Sequence, residues 1–105
     1  MRILFDQGTP VPLRHHLVGH EVTTAFELGW SNLENGALLL AAEGRFDLMI
    51  TTDQNIRYQQ KEGSRTLGIL VLMTTSWPWM QSGIPEIIAA INQGKPGSLL
   101  EVKLQ

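Results

Sequence analysis

Apolar residues along this chain fall into two patterns. Unbroken short runs, Ile3-Leu4-Phe5, Leu48-Met49-Ile50 and Leu67 through Met73, have the signature of strands covered on both faces, as in a parallel sheet. Between them lie segments whose apolar residues recur at helical spacing, most clearly Ile84, Ile87, Ile88 and Ile91, which predict an amphipathic helix over about residues 83–93 with Pro85 in its first turn. The first strand stops at the turn signal Asp6-Gln7-Gly8-Thr9-Pro10. Pro12, Leu13, Leu17 and Val18 predict a short helix over about residues 11–18, closed by Gly19.

The β-branched run Val22-Thr23-Thr24-Ala25 follows as a second strand, close enough to the first for a parallel crossover. Residues 34–43 carry Ala37, Leu38, Leu40, Ala41 and Ala42 and predict a helix stopped by Gly44. The third strand, residues 47–52, ends in Asp53. Residues 54–63 are polar apart from Ile56 and Tyr58 and read as a short, partly exposed helix, whereas Trp77-Pro78-Trp79 reads as a loop. Leu100, Val102 and Leu104 alternate with Glu101 and Lys103, as in a half-exposed edge strand. Strands and helices thus alternate throughout, which predicts a single α/β domain built on a mostly parallel sheet of about five strands with helices on both faces.

A chain of 105 residues can bury roughly two-thirds of its unfolded surface and fold without staples. Cysteine is absent, so a disulfide frame and a thiolate metal site are both excluded, and a metal would rest on carboxylates, carbonyls or the three histidines. The apolar run before Asp6 is too short for a signal-peptide core, and no later run approaches the ~20 residues of a membrane span, so the expected location is the cytoplasm. Net charge is −2, which does not favour nucleic acid over the whole surface; any such contact would be local and helped by metal.

Ligands of open α/β sheets bind beyond the carboxyl ends of the strands, and Asp6, Asp53 and Thr74-Thr75-Ser76 all fall there. Two acids converging at such an edge repel unless a cation or a shared proton compensates, so the pair points to Mg²⁺ or Mn²⁺. The alternative is that each Asp caps its following turn. The Thr-Thr turns that bracket the edge offer hydroxyls to a phosphate or to metal-held water, or simply reflect β propensity. Glu27, Glu34 and Asn35 stand where they would complete an acidic cluster or act as loop and cap residues. His15, His16 and His20 lack metal-ligand spacing and are expected at the surface. Arg57, Lys61 and Arg65, if helical, make a basic stripe able to steer a phosphate backbone, or an ordinary solvated face. The Trp77-Pro78-Trp79-Met80 run is expected to pack or to dimerise, and a homodimer is predicted from it.

ILFDQGTP at the start, GHEV after the first helix, ITTDQN at the end of the third strand and the later ILVLMTTSWP together resemble the compact PIN-like family of bacterial and archaeal proteins, predicted toxin nucleases akin to VapC toxins. The resemblance spans essentially the whole chain. It implies a PIN-like three-layer domain and a metal-dependent ribonuclease, in many relatives a toxin restrained by an antitoxin protein. By this resemblance Asp6 matches the first-strand acid and Asp53 the acid after the third strand. The pattern is incomplete where relatives often carry a further acid, since this chain has Asn55 there and offers Glu34 or Asn35 at the second helix. In the working version, Mg²⁺ or Mn²⁺ held by Asp6, Asp53 and Glu34 activates water for attack on RNA, and Asn55 orients water or a phosphate oxygen. In the other version the edge supports only an interaction or regulatory module. A response-regulator receiver is a third class, disfavoured because Gln7 follows Asp6 and because Lys95 and Lys103 sit awkwardly for the lysine a receiver needs.

Overall fold

The computed structural model describes residues 1–56 and 65–104. Five strands form one all-parallel sheet: β1 Arg2–Phe5, β2 Glu21–Thr24, β3 Leu48–Thr51, β4 Gly68–Leu72 and β5 Leu99–Val102, in the order β2-β1-β3-β4-β5. The apolar runs occupy the centre, where every residue of β3 and β4 is buried, while β2 and β5 keep partly exposed residues at the edges. Burial on both faces explains why β3 and β4 lack the polar alternation of a one-sided sheet.

Side chains alternate across the sheet and feed two apolar layers. Ile3, Phe5, Leu48, Ile50, Leu70 and Leu72 pack toward a 3-10 helix, Val11–His16, and the helices α2, Trp77–Ser82, and α3, Ile84–Gln93. On the other face Leu4, Met49, Ile69 and Val71 pack against Leu38, Leu39 and Ala42 of α1, Asn35–Ala42. The expected three-layer domain with helices on both faces is therefore present, and its sheet is parallel throughout. No helix among the described residues is long and apolar enough to cross a membrane.

The connections do not share one hand. From β1 to β2 the chain steps one way across the face of the 3-10 helix, and from β2 to β3 it steps the opposite way across the face of α1, two moves of the same hand. From β4 to β5 it again steps in the second direction, yet α2 and α3 lie on the face of the 3-10 helix, so this crossover has the opposite hand.

Two expectations are corrected. Trp77-Pro78-Trp79 is helical, because Ser76 caps the turn by accepting the Trp79 N–H at 3.3 Å and Pro78 sits in the first turn, where its missing N–H costs nothing. The segment after Pro10 is a 3-10 helix that ends at His16, short of Val18. Gly83 joins α2 to α3 and lies against buried Leu104, where an added Cβ would stand 2.3 Å from Leu104 Cδ2. The helix expected over 54–63 falls mostly outside the described residues, although Ile56 is fully buried beneath the α1 face.

Candidate functional site

Sheet register brings the site together. Phe5 pairs with Ile50, so the next residue on each strand, Asp6 and Thr51, stand side by side at the carboxyl edge. Alternation turns both toward the face of α1, with Leu4 and Met49. β1 and β3 are also where the chain departs to opposite faces, since the 3-10 helix follows β1 and buried Ile56 of the other layer follows β3. Such divergence opens the crevice in which α/β domains hold ligands.

Asp6 is 8% exposed and fully engaged. Thr51 Oγ1 donates to Asp6 Oδ2, and Thr9 Oγ1 lies 2.7 Å from Asp6 Oδ1 and 2.9 Å from the Ile50 carbonyl oxygen. A hydroxyl has one proton, so Thr9 serves either the carboxylate or the carbonyl; a protonated Asp6 would donate to Thr9 and release the Thr9 proton to Ile50. Burial pushes the Asp6 carboxyl above its ordinary value, outweighing hydrogen bonds from Thr51, Thr9 and the Gly8 and Thr9 backbone that favour the anion.

Asp53 is more accessible, half-buried at the rim. Its N–H donates to Thr51 Oγ1 at 3.0 Å, its Oδ1 accepts the Asn55 N–H at 2.9 Å, and its Oδ2 accepts the side-chain amide of Asn35. Thr51 therefore bridges the two acids, donating to Asp6 and accepting from Asp53. Thr52 Oγ1 donates to the Gly8 carbonyl at 3.3 Å, and a Cβ on Gly8 would stand 2.8 Å from that hydroxyl, so glycine lets the two loops close on one another.

The remaining predicted residues are placed differently. Glu34 is exposed at the N-cap of α1 without a side-chain capping bond, and the contact to Asp53 comes from its neighbour Asn35. Asn55 is exposed, and its backbone rather than its amide touches Asp53. Among the described residues no three His, Cys, Asp or Glu side chains gather as a metal group. Glu27 leaves the acidic cluster: Thr24 N–H at 2.9 Å and the Arg14 guanidinium hold its carboxyl below the usual range, while Arg14 Nε is buried without a hydrogen-bond partner. Arg57 and Lys61 lie outside the described residues. Arg65 precedes β4 at the amino edge, opposite the acids, and donates to the Leu67 and Gly97 carbonyls at 2.9 Å each, so it is not part of a basic stripe beside Asp53.

The hydroxyls after β4 are turn caps, with Thr74 Oγ1 accepting the Ser76 N–H at 3.0 Å and Ser76 capping α2. His15 and His16 are exposed as expected, His16 with its ring 6.0 Å from that of Trp77, while His20 Nδ1 lies 3.2 Å from the N-terminal ammonium. A cleft of about 310 Å³ opens at the amino edge among Arg2, Asp47, Thr66 and Lys95, and shares no residue with the carboxyl edge. Its Arg2–Asp47 pair, 3.6 Å apart, is satisfied internally.

Thr9, and the bridging role of Thr51, are not evident from the sequence. The signal for Thr51 is its position two residues before Asp53, but only the β1–β3 register sets it against Asp6. Comparison with known proteins adds no relative: no family model, no curated protein and no solved structure matches this chain.

Proposed function

We propose that the carboxyl edge is the active site of a metal-dependent ribonuclease of the PIN-like kind, the toxin of a toxin–antitoxin pair, working as a homodimer in the cytoplasm. One observation carries this reading: Asp6 and Asp53 follow the adjacent strands β1 and β3 at the point where the chain diverges, and the Thr51 hydroxyl links the Asp6 carboxylate to the Asp53 backbone N–H. The donor set fits Mg²⁺ or Mn²⁺, because it is all oxygen and because Mg²⁺ is usually held by one or two carboxylates, with water and substrate phosphate oxygens filling the remaining positions. Such an ion supplies charge stabilisation and a bound water of lowered pKa.

The chain's own residues do the rest. Asp6, buried and fixed by two hydroxyls, gives a rigid anchor at the base, and half-exposed Asp53 presents the second carboxylate at the rim, where substrate arrives. Glu34, exposed one residue before Asn35, is the third carboxylate in this reading, and the Asn55 amide orients water or a phosphate oxygen. Arg57 and Lys61 steer the RNA backbone. Cleavage of a mixed single-stranded RNA pool in Mn²⁺, absent in Asp6→Asn, supports the reading; wild-type activity no greater than that of Asp6→Asn rejects it.

A second reading, an interaction or regulatory module without cleavage, is favoured by the structural role of Asp53, whose two oxygens hold the Asn55 N–H and the Asn35 amide. It predicts partner binding with no metal-dependent cleavage. The receiver reading is weakened by the last crossover, because a sheet wound with one hand throughout would put α2 and α3 on the face of α1. Failure of acetyl phosphate to label Asp53 would remove it.

A further inference from the structure

We propose that the outer edge of β5 is the interface of the homodimer: two copies of β5 pair antiparallel about a two-fold axis at Val102 and continue the sheet from one protomer into the other. This rests on the homodimer reading and says which surface carries it. β5 is the last strand of the sheet, with β4 on one side and, among the described residues, no strand on the other. The Ser98 carbonyl accepts the Ile69 N–H at 2.8 Å and the Val102 carbonyl accepts the Met73 N–H at 2.9 Å, so the even-numbered residues turn their backbone groups toward β4. The backbone groups of Leu99, Glu101 and Lys103 therefore point to the outer side.

Charge selects the register. A second β5 bonds through the same outward residues, so a two-fold axis within the charged stretch falls on Glu101, Val102 or Lys103. An axis at Glu101 sets Glu against Glu, and one at Lys103 sets Lys against Lys; both put like charges directly opposite one another. An axis at Val102 sets Glu101 against the partner's Lys103 and Lys103 against the partner's Glu101, each a hydrogen-bonded pair of opposite charge. Both side chains are exposed, so the pairing leaves the core as it is. On the other face Val102 meets its own copy and half-buried Leu100 meets the partner's Leu104, within the apolar layer that holds α3. The continued sheet also brings the two α3 helices, which carry exposed Ile88, toward one another on that face.

The test is light scattering over a concentration series at low salt on wild type, Glu101→Lys, Lys103→Glu, an equimolar mixture of these two variants, and Trp79→Ala. Glu101→Lys sets Lys against Lys at both pairs and Lys103→Glu sets Glu against Glu, so each variant is expected to dimerise roughly tenfold or more weakly than wild type. Mixed, the two restore opposite charges at both pairs, and the mixture is expected to return dimers within about threefold of wild-type affinity. Circular dichroism matching wild type identifies the folded variants, and if either single variant does not fold, the doubly exchanged chain, Glu101→Lys with Lys103→Glu, decides by the same recovery. A wild-type dimer that weakens with Trp79→Ala but with neither charge change, or variants that do not recover, overturns the edge pairing and leaves the homodimer standing. A wild type that stays monomeric overturns both.

Discussion

Thr51 Oγ1 donates to Asp6 Oδ2 and leaves that buried carboxyl with a hydroxyl on each oxygen, the second coming from Thr9 at 2.7 Å. The same oxygen accepts the Asp53 N–H at 3.0 Å, so one side chain fixes both acids of the site. Thr51→Val keeps the shape and removes the hydroxyl, and is expected to lower stability by roughly 1–3 kcal/mol, the cost of leaving buried polar groups without a partner. Thr51→Ser should restore most of the loss. Urea unfolding at neutral pH measures both, and a Thr51→Val variant as stable as wild type would show that the bridge does not form.

Asp6 gives a pH signature. Its carboxyl titrates above the ordinary 3.8 because burial disfavours the charge, so the folded chain holds that proton more tightly than the unfolded chain does. The stability from this proton is fully present below 3.8 and is lost as pH rises through the folded-state value. In chelator, the melting temperature of wild type relative to Asp6→Asn should therefore fall from acid toward neutral pH. A difference that stays flat or rises contradicts the burial of Asp6.

Glu43 behaves in the opposite sense. Its Oε1 accepts the Thr66 N–H at 2.6 Å and hydroxyl at 2.5 Å, its Oε2 accepts the Leu67 N–H at 3.1 Å, and these bonds hold its carboxyl below the ordinary 4.5. The stability it adds is present above that value and is lost as pH falls through the folded-state value. Glu43→Gln should cost about 1 kcal/mol at neutral pH and progressively less in acid, measured by denaturant titration. An equal cost at both pH values would place the effect outside its charge.

The strand cores were legible in the sequence because β3 and β4 are buried on both faces and their sequences are nearly all apolar, and because Asp6 and Asp53 follow such runs directly. The opposite hand of the last crossover was not, since no local pattern states which face α2 and α3 cover. Trp77-Pro78-Trp79 read as a loop because the bulk of two Trp and a Pro masked the cap signal of Ser76 before Pro78. The site was half legible. Residue type gave the acids, but Asn35 on Asp53 and Thr51 on Asp6 depend on layer packing and register between segments far apart in the chain.

Asp53 also caps its own turn, and an amide oxygen can replace a carboxylate in that role. Asp53→Asn should melt at or above wild type in chelator, whereas Asp53→Ala, which loses the acceptor, should lose roughly 1 kcal/mol. Differential scanning calorimetry separates the two, and a drop of several degrees in Asp53→Asn would make the charge of Asp53 structural.

Trp79 is 51% exposed on α2, and Ile88 of α3 is 36% exposed. The proposed homodimer uses these apolar side chains, so light scattering at high micromolar concentration should return a dimer that Trp79→Ala weakens. A monomer unchanged by the substitution excludes it.

The most direct test of Asp6 and Asp53 as one cation site is calorimetric titration of the wild-type chain and of Asp6→Asn with MnCl₂ at neutral pH. With Asp6, Asp53 and the exposed Glu34 as its carboxylates the wild type should bind one Mn²⁺ with a Kd of roughly 0.1–1 mM, more tightly than it binds Mg²⁺, and Asp6→Asn should lose most of that binding. Equal binding by the two proteins, or none by the wild type, would contradict it.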